Sequence, residues 1–215
     1  MIVFLDTEFT DASSSARLLS VGLVCGGPYQ DEFYAEVSDS DRLDGASEFA
    51  SNVVLPQFGN LADAACGYDQ IGARLWAFFD RQISSLADAR TVEVVFRCDL
   101  EWALTRLAIK EAGRSCWRRL EGRLRPRNVR HIRGFQAGSL AADQYFRAQQ
   151  HAPLARHHAL CDARALRVFY EAAAAGRMGG RANYSRSSSG QSLTPLGGHH
   201  GARPSVPYIA TPDAP

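Results

Sequence analysis

Apolar and polar positions along the chain resolve into short strands first, then alternating helices and strands. Ile2 to Asp6 is an almost unbroken apolar run of buried-strand length, and Leu18 to Cys25 is a second. Glu32 to Val37 alternates, with Phe33, Ala35 and Val37 on one face, and reads as a third strand. Gly26-Gly27-Pro28 between the second and third runs is turn chemistry, so an antiparallel meander is predicted. Ser38 to Gly67 shows no clear period. Ile71, Leu75, Phe78, Phe79 and Ile83 then recur at helical spacing, and the β-branched run Thr91 to Phe96 predicts a fourth strand. Leu100 to Ala112 predicts a helix with Leu100, Ala103, Leu104 and Leu107 on its apolar side. Val129 to Ile132 reads as a short fifth strand, Gly138 to Gln149 as a helix and Leu160 to Ala175 as a closing helix. This order predicts an α/β fold, a mixed sheet with helices packed on it, and no internal repeat is visible.

Composition divides the chain. In the forty residues from Gly176 to Pro215, seven are Gly, five Pro and six Ser, too little apolar surface to offset the entropy of ordering. Residues 1–175 are therefore expected to form one domain and residues 176–215 a disordered, weakly basic tail whose Arg/Gly/Ser content could add salt-sensitive RNA affinity. The 24 basic and 23 acidic residues leave a formal charge of +1, which excludes a polyanion-coating protein. That near-neutrality is an average, because Asp31 to Asp69 holds nine acids and one arginine, while Arg114 to Arg133 holds eight arginines and one acid. The acidic stretch is expected to face solvent or a partner. The arginine stretch, with Trp117 inside it, reads equally as a phosphate-tracking surface with a base-stacking ring or as a solvated face. Trp76 and Trp102 sit in apolar helical patterns and are expected in the core. Five widely spaced cysteines without a Cys-x-x-Cys pair indicate reduced thiols and a cytoplasmic setting. No run approaches a membrane span, and Asp6 cuts the N-terminal apolar run too short for a signal peptide, so no membrane is expected.

Three features carry candidate chemistry. Asp6-Thr7-Glu8 leaves the end of a buried strand, where side chains at i and i+2 share a face. Two such carboxylates repel unless a cation sits between them, and oxygen-only ligation suits Mg²⁺ or Mn²⁺. The alternative is a turn-forming Asp6 and a solvated Glu8. Asp99 follows the fourth strand and opens the next helix, a position that by itself favours an N-cap over a site role. His157-His158-Ala159-Leu160-Cys161-Asp162-Ala163 begins the last helix, so a histidine and an aspartate can face one cleft across a loop bend.

In this order, the three features resemble the DEDD 3′-to-5′ exonucleases with an extra histidine, on the ribonuclease H-like fold. The matching segments are Phe4-Leu5-Asp6-Thr7-Glu8-Phe9, then Phe96-Arg97-Cys98-Asp99-Leu100 with Leu104 following, then His157 to Ala163. The resemblance covers roughly residues 1–175. Relatives often carry an Asn shortly before the second aspartate, where this chain has Val94 and Val95; Asp99 is preferred over the mid-strand Glu93 and over Glu101, which lies round the helix.

The resemblance implies a five-stranded mixed sheet, three strands antiparallel and two parallel. It implies two divalent ions, Mg²⁺ or Mn²⁺, held by Asp6, Glu8, Asp99 and Asp162, with His157 as the base that deprotonates the attacking water. The spacing to the aspartate selects His157 over His158, leaving His158 structural or solvent-facing. Phe9 and Thr10 would lie near the terminal nucleotide, backbone amides towards its 3′ hydroxyl. The implied activity is release of nucleoside monophosphates from single-stranded 3′ ends, RNA preferred, by an enzyme that forms a homodimer in many relatives. A DNA-processing exonuclease and a silent nucleic-acid- or protein-binding module of the same fold are the alternatives.

Overall fold

The three apolar runs at the start of the chain pair as the turn chemistry predicts. In the computed structural model, which describes residues 1–27, 31–86, 91–150 and 154–184, β1 (Ile2–Phe9) pairs antiparallel with β2 (Leu18–Cys25), and β2 with β3 (Glu32–Val37). Ser40–Leu43 forms a single helical turn, α1, and a π-helical turn at Ala50–Val54 and a 3₁₀ turn at Leu55–Gln57 follow. A two-residue strand, β4 (Ala65–Cys66), then lies parallel to β3. The remaining elements are α2 (Tyr68–Ser84), β5 (Val92–Phe96), α3 (Asp99–Ala112), α4 (Arg114–Glu121), β6 (Leu124–Asn128), α5 (Phe135–Ala148) and α6 (Ala159–Tyr184). Together the strands form a mixed six-stranded sheet in the order β4-β3-β2-β1-β5-β6, with β5 and β6 parallel to β1.

Alternation along β1 assigns the two faces. Val3 and Leu5 pack with Val21, Leu23, Val94 and the apolar sides of α2, α3 and α4. Phe4 packs with Val24, Val95 and the α5–α6 pair on the other side. The sheet is thus flanked by helices on both faces, an α/β architecture. Among the described residues no helix is long and apolar enough to cross a membrane.

Several sequence-based expectations are corrected. The sheet has six strands, not five, because Ala65–Cys66 is too short to leave a pattern. The last strand is Leu124–Asn128, upstream of the Val129–Ile132 expected. Its charged side chains and Pro126 disguise it, and both are tolerated because β6 is an edge strand. Trp117 is 9% exposed and belongs to the core, so it offers no base platform. Within the acidic stretch Glu36 is buried, accepting hydrogen bonds from Tyr34 Oη (2.8 Å) and the Gly59 N–H (2.7 Å). Trp76 and Trp102 pack against the core as expected. α6 continues past Gly176 to Tyr184; the rest of the expected tail, with Arg186, His199, His200 and Arg203, lies outside the described residues.

One glycine controls how close α6 comes to the sheet. A Cβ on Gly22 would sit 2.4 Å from the carbonyl carbon and oxygen of Ala159, the first residue of α6. Gly22→Ala must push that helix start outward, with an expected cost of about 1–3 kcal/mol. Thermal unfolding checks this; an unchanged Tm would mean that α6 is not seated on β2 at this point.

Candidate active site at the carboxyl ends of β1 and β5

Parallel pairing of β1 with β5, with Phe4 opposite Val95, sets their carboxyl ends side by side, and α3 begins three residues beyond β5. Asp6 and Glu8 share the Phe4 face of β1, opposite Gly22 and Ser20 of β2, and therefore point towards the start of α6. The close approach at Gly22 brings Asp162, in the first turn of α6, up to them. Glu8 is 9% exposed. Ligand atoms of Glu8, His157 and Asp162 lie within 4.8 Å of one another, and Asp162 Oδ1 is buried with no hydrogen-bond partner.

The fourth acid of this cluster is Glu101, not Asp99. Residues Glu101, Leu104, Thr105, Ala108 and Ile109 form the buried stripe of α3, which places Leu107, 46% exposed, on the outside, contrary to the stripe read from the sequence. Glu101 is 7% exposed and its Oε2 accepts the Arg97 N–H at 3.1 Å, closing the first turn of α3. Asp99 is exposed, and its Oδ1 accepts from Asn128 Nδ2 at 2.8 Å, outside the cluster. At 100° per residue, side chains two apart on a helix point to nearly opposite sides, so only one of these acids can face Asp6.

His157 sits just before α6 in the left-handed region, φ +68°. This conformation is costly outside glycine, less so for His, and is held here from several directions. The His157 N–H donates to Asp162 Oδ2 at 3.1 Å. The Gln57 side-chain amide donates to the carbonyls of Arg156 (3.0 Å) and His157 (3.1 Å), and its oxygen accepts the Ala155 N–H at 3.2 Å. Phe49 meets the imidazole edge-on at 4.9 Å. Gln57 and Phe49 lie in the stretch without a period, and no sequence signal marked them. His158 is buried, stacked on Tyr34 at 4.3 Å, and burial pushes its pKa down to about 4, so it is a neutral packing residue. A cavity of about 330 Å³ opens beside His157 and Asp162, bounded also by Arg97, Asp143 and Arg156.

Phe9 and Thr10 are placed differently from the catalytic candidates. Phe9 packs against the α2–α3 side of the sheet. Thr10 is buried, its N–H donating to the Arg17 carbonyl (3.0 Å) and its hydroxyl accepting the Arg17 N–H (3.0 Å), so neither Thr10 group is open to a ligand. Compared with known proteins, the chain matches no family model and no curated protein.

The electrostatics of the cluster are those of acids crowded together out of water. Burial first, then repulsion from Glu101, Asp162 and Glu8, holds the Asp6 carboxyl well above its usual range, while Arg97 pulls it back. Burial and the charges of Asp162 and Glu101 raise Glu8 to about 8. Burial raises Glu101 to about 7 against the opposing N–H bonds of Arg97 and Cys98, and raises Asp162 to about 6. Each folded-state pKa exceeds that of the unfolded chain, so the native state binds more protons between these values and loses stability as pH rises through them. The metal-free protein is therefore expected to lose about 10 °C or more in Tm between about pH 5 and 8. Saturating Mn²⁺ should abolish that fall in a fluorimetric melt; a metal-free Tm independent of pH would show that the carboxyls do not repel in the folded state.

Proposed function

We propose that this chain is a metal-dependent 3′-to-5′ exonuclease of the DEDD type with the extra histidine, on a ribonuclease H-like fold. It would release nucleoside monophosphates from single-stranded ends, RNA preferred. The observation that carries the reading is the convergence of Asp6, Glu8, Glu101 and Asp162 with His157 at the carboxyl ends of adjacent parallel strands, the position where α/β sheets hold ligands. Four crowded carboxyls, Glu8 and Glu101 buried and Asp6 and Asp162 half-buried, all held above their usual range and one with an orphaned oxygen, are unfavourable alone and fit a pair of oxygen-seeking divalent ions. Asp6, Glu8, Glu101 and Asp162 would hold Mg²⁺ or Mn²⁺, which when bound supplies charge neutralisation at the scissile phosphate and at the attacking and leaving oxygens.

The remaining work falls to side chains of the chain itself. Burial and the neighbouring Arg156 hold the His157 pKa below its usual value, so the ring is neutral near pH 7 and able to take the proton of the attacking water. The Asp162 carboxylate and the Gln57 amide fix the backbone beneath that ring. Arg97 borders the same cavity and offsets negative charge next to Asp6 and Asp162. The RNA preference is supported by the motif resemblance to stand-alone exoribonucleases.

Single-stranded RNA and DNA of one sequence, labelled at the 3′ or the 5′ end, test the reading in Mg²⁺, Mn²⁺ or EDTA. The 3′ label should be released first, as mononucleotide, and only with metal. Activity surviving EDTA, or release from the 5′ end, would sink the assignment; equal rates on DNA would remove only the preference for RNA.

A further inference from the structure

The largest cavity among those described is a cleft of about 1040 Å³ beside the site, some three times the volume next to His157. It lies between the β5–α3 junction and the β6–α5 connection, with Arg97, Arg127, Arg130, Arg133 and Phe135 in its walls. Arg97 borders both cavities, so the cleft adjoins the cavity beside His157 and Asp162. We propose that this cleft holds the sugar-phosphate backbone of the strand upstream of the scissile bond, an inference that rests on the exonuclease reading.

Charge in the cleft is predominantly positive, and two of its arginines are uncommitted. Arg127 is tied to Glu93 (2.6 Å) and Tyr170 Oη (3.1 Å) and builds the wall. Arg130 and Arg133 are exposed and pair with no acid among the described residues. The one carboxylate in the lining, Asp99, is already bonded by Asn128. Phe135 is 46% exposed, and Phe169 fixes its ring edge-on at 5.4 Å, leaving a face on which a base can stack. The volume lies at the upper end of the ~300–1,000 Å³ typical of small-ligand sites, which leaves room for more than one nucleotide.

Other members of the arginine-rich run lie away from the cleft. Arg119 pairs with Asp80 at 3.2 Å and lies over Trp76, while Arg114 and Arg118 border a separate cavity with Glu111 and Glu121. α4 leads into the amino end of β6, whereas the cleft lies at the carboxyl ends of β5 and β6. The free arginines and the open Phe135 ring beside the carboxylate cluster suit phosphates and bases together, so a nucleic-acid strand is the occupant the position favours.

The test compares Arg130→Ala/Arg133→Ala with an equal charge loss on α4, Arg114→Ala/Arg118→Ala. Affinity for a ~12-nucleotide single-stranded RNA is read by fluorescence anisotropy in EDTA, and KM is read in Mn²⁺ on that RNA and on a dinucleotide. The cleft variant should weaken the longer RNA by about tenfold at moderate salt, at least several times its effect on the dinucleotide. It should also flatten the slope of log affinity against log salt by about 1.4, for two lost phosphate contacts on a single strand. The α4 variant should change neither. Unchanged affinity of the cleft variant, equal losses on both substrates, equal losses in the α4 variant, or a change only in sedimentation would each overturn the assignment. A wild-type protein that cleaves nothing sinks the exonuclease reading instead, and the anisotropy measurement still decides the cleft.

Discussion

Glu101→Gln is expected to lower metal-dependent hydrolysis by on the order of a hundredfold or more, while Asp99→Asn costs at most a few-fold. The two acids are two positions apart, a spacing that shares a face on a strand, yet on α3 they face opposite ways. Glu101 is buried on the stripe that contacts the sheet, and its charge adds to the field that raises Asp6 and Glu8. Asp99 is exposed and bonded to Asn128. The Gln substitution keeps an oxygen to accept the Arg97 N–H, so the first turn of α3 is preserved while one buried like charge disappears. Metal-free stability at neutral pH should therefore rise as activity falls, a pairing that mere misfolding cannot produce. Steady-state kinetics and thermal melts on both variants decide it. An active Glu101→Gln enzyme beside an inactive Asp99→Asn enzyme would mean that α3 is rolled by half a turn from the arrangement described.

His157→Asn is expected to reduce kcat by about 10²–10⁴-fold, the range for loss of a positioned general base. Asn is the informative replacement because it tolerates the left-handed backbone at φ +68°, whereas Ala adds a local cost of about 1–2 kcal/mol. Since the histidine pKa is held below its usual value, wild-type kcat/KM should climb with pH along a limb lying on the acid side of the ordinary imidazole range, and the variant should lose that limb. The ring also lies within reach of Glu8 and Asp162, so a ligand role makes a different forecast. Calorimetric Mn²⁺ affinity separates them. An unaltered affinity with depressed kcat identifies the base, and affinity weakened in step with kcat identifies a ligand and overturns the base assignment. His158→Asn should act through stability, since that ring is buried against Tyr34.

The legible parts of the molecule were those fixed by local rules. β1, β2, β3 and β5 follow from apolar runs and alternation because a strand repeats every two residues regardless of its partners. Asp6 and Glu8 share a face for the same reason, and the spacing from His157 to Asp162 spans a helix start whose N–H bonds close it. The edge elements were not legible. β6 tolerates arginines and a proline because, among the described residues, one of its sides has no neighbouring strand, and β4 forms by pairing with the edge that β3 offers.

Glu101 marks the boundary between the two kinds of information. An acid at the head of the stripe Leu104, Ala108, Ile109 was a readable signal, but Leu100 and Leu107 supported a competing stripe. Hydrophobicity alone could not choose between two rotations of one helix, since each buries leucines. The choice is made by packing, where Gly72 admits the Ala108 backbone against α2 and so fixes the roll of α3. The sequence by itself determined the α/β class, the paired carboxylates of β1 and the histidine-aspartate pair of α6, because each is set within a few residues. Only the tertiary structure decided which acid joins them and which arginines line the adjoining cleft, because both depend on how separate elements rotate and abut.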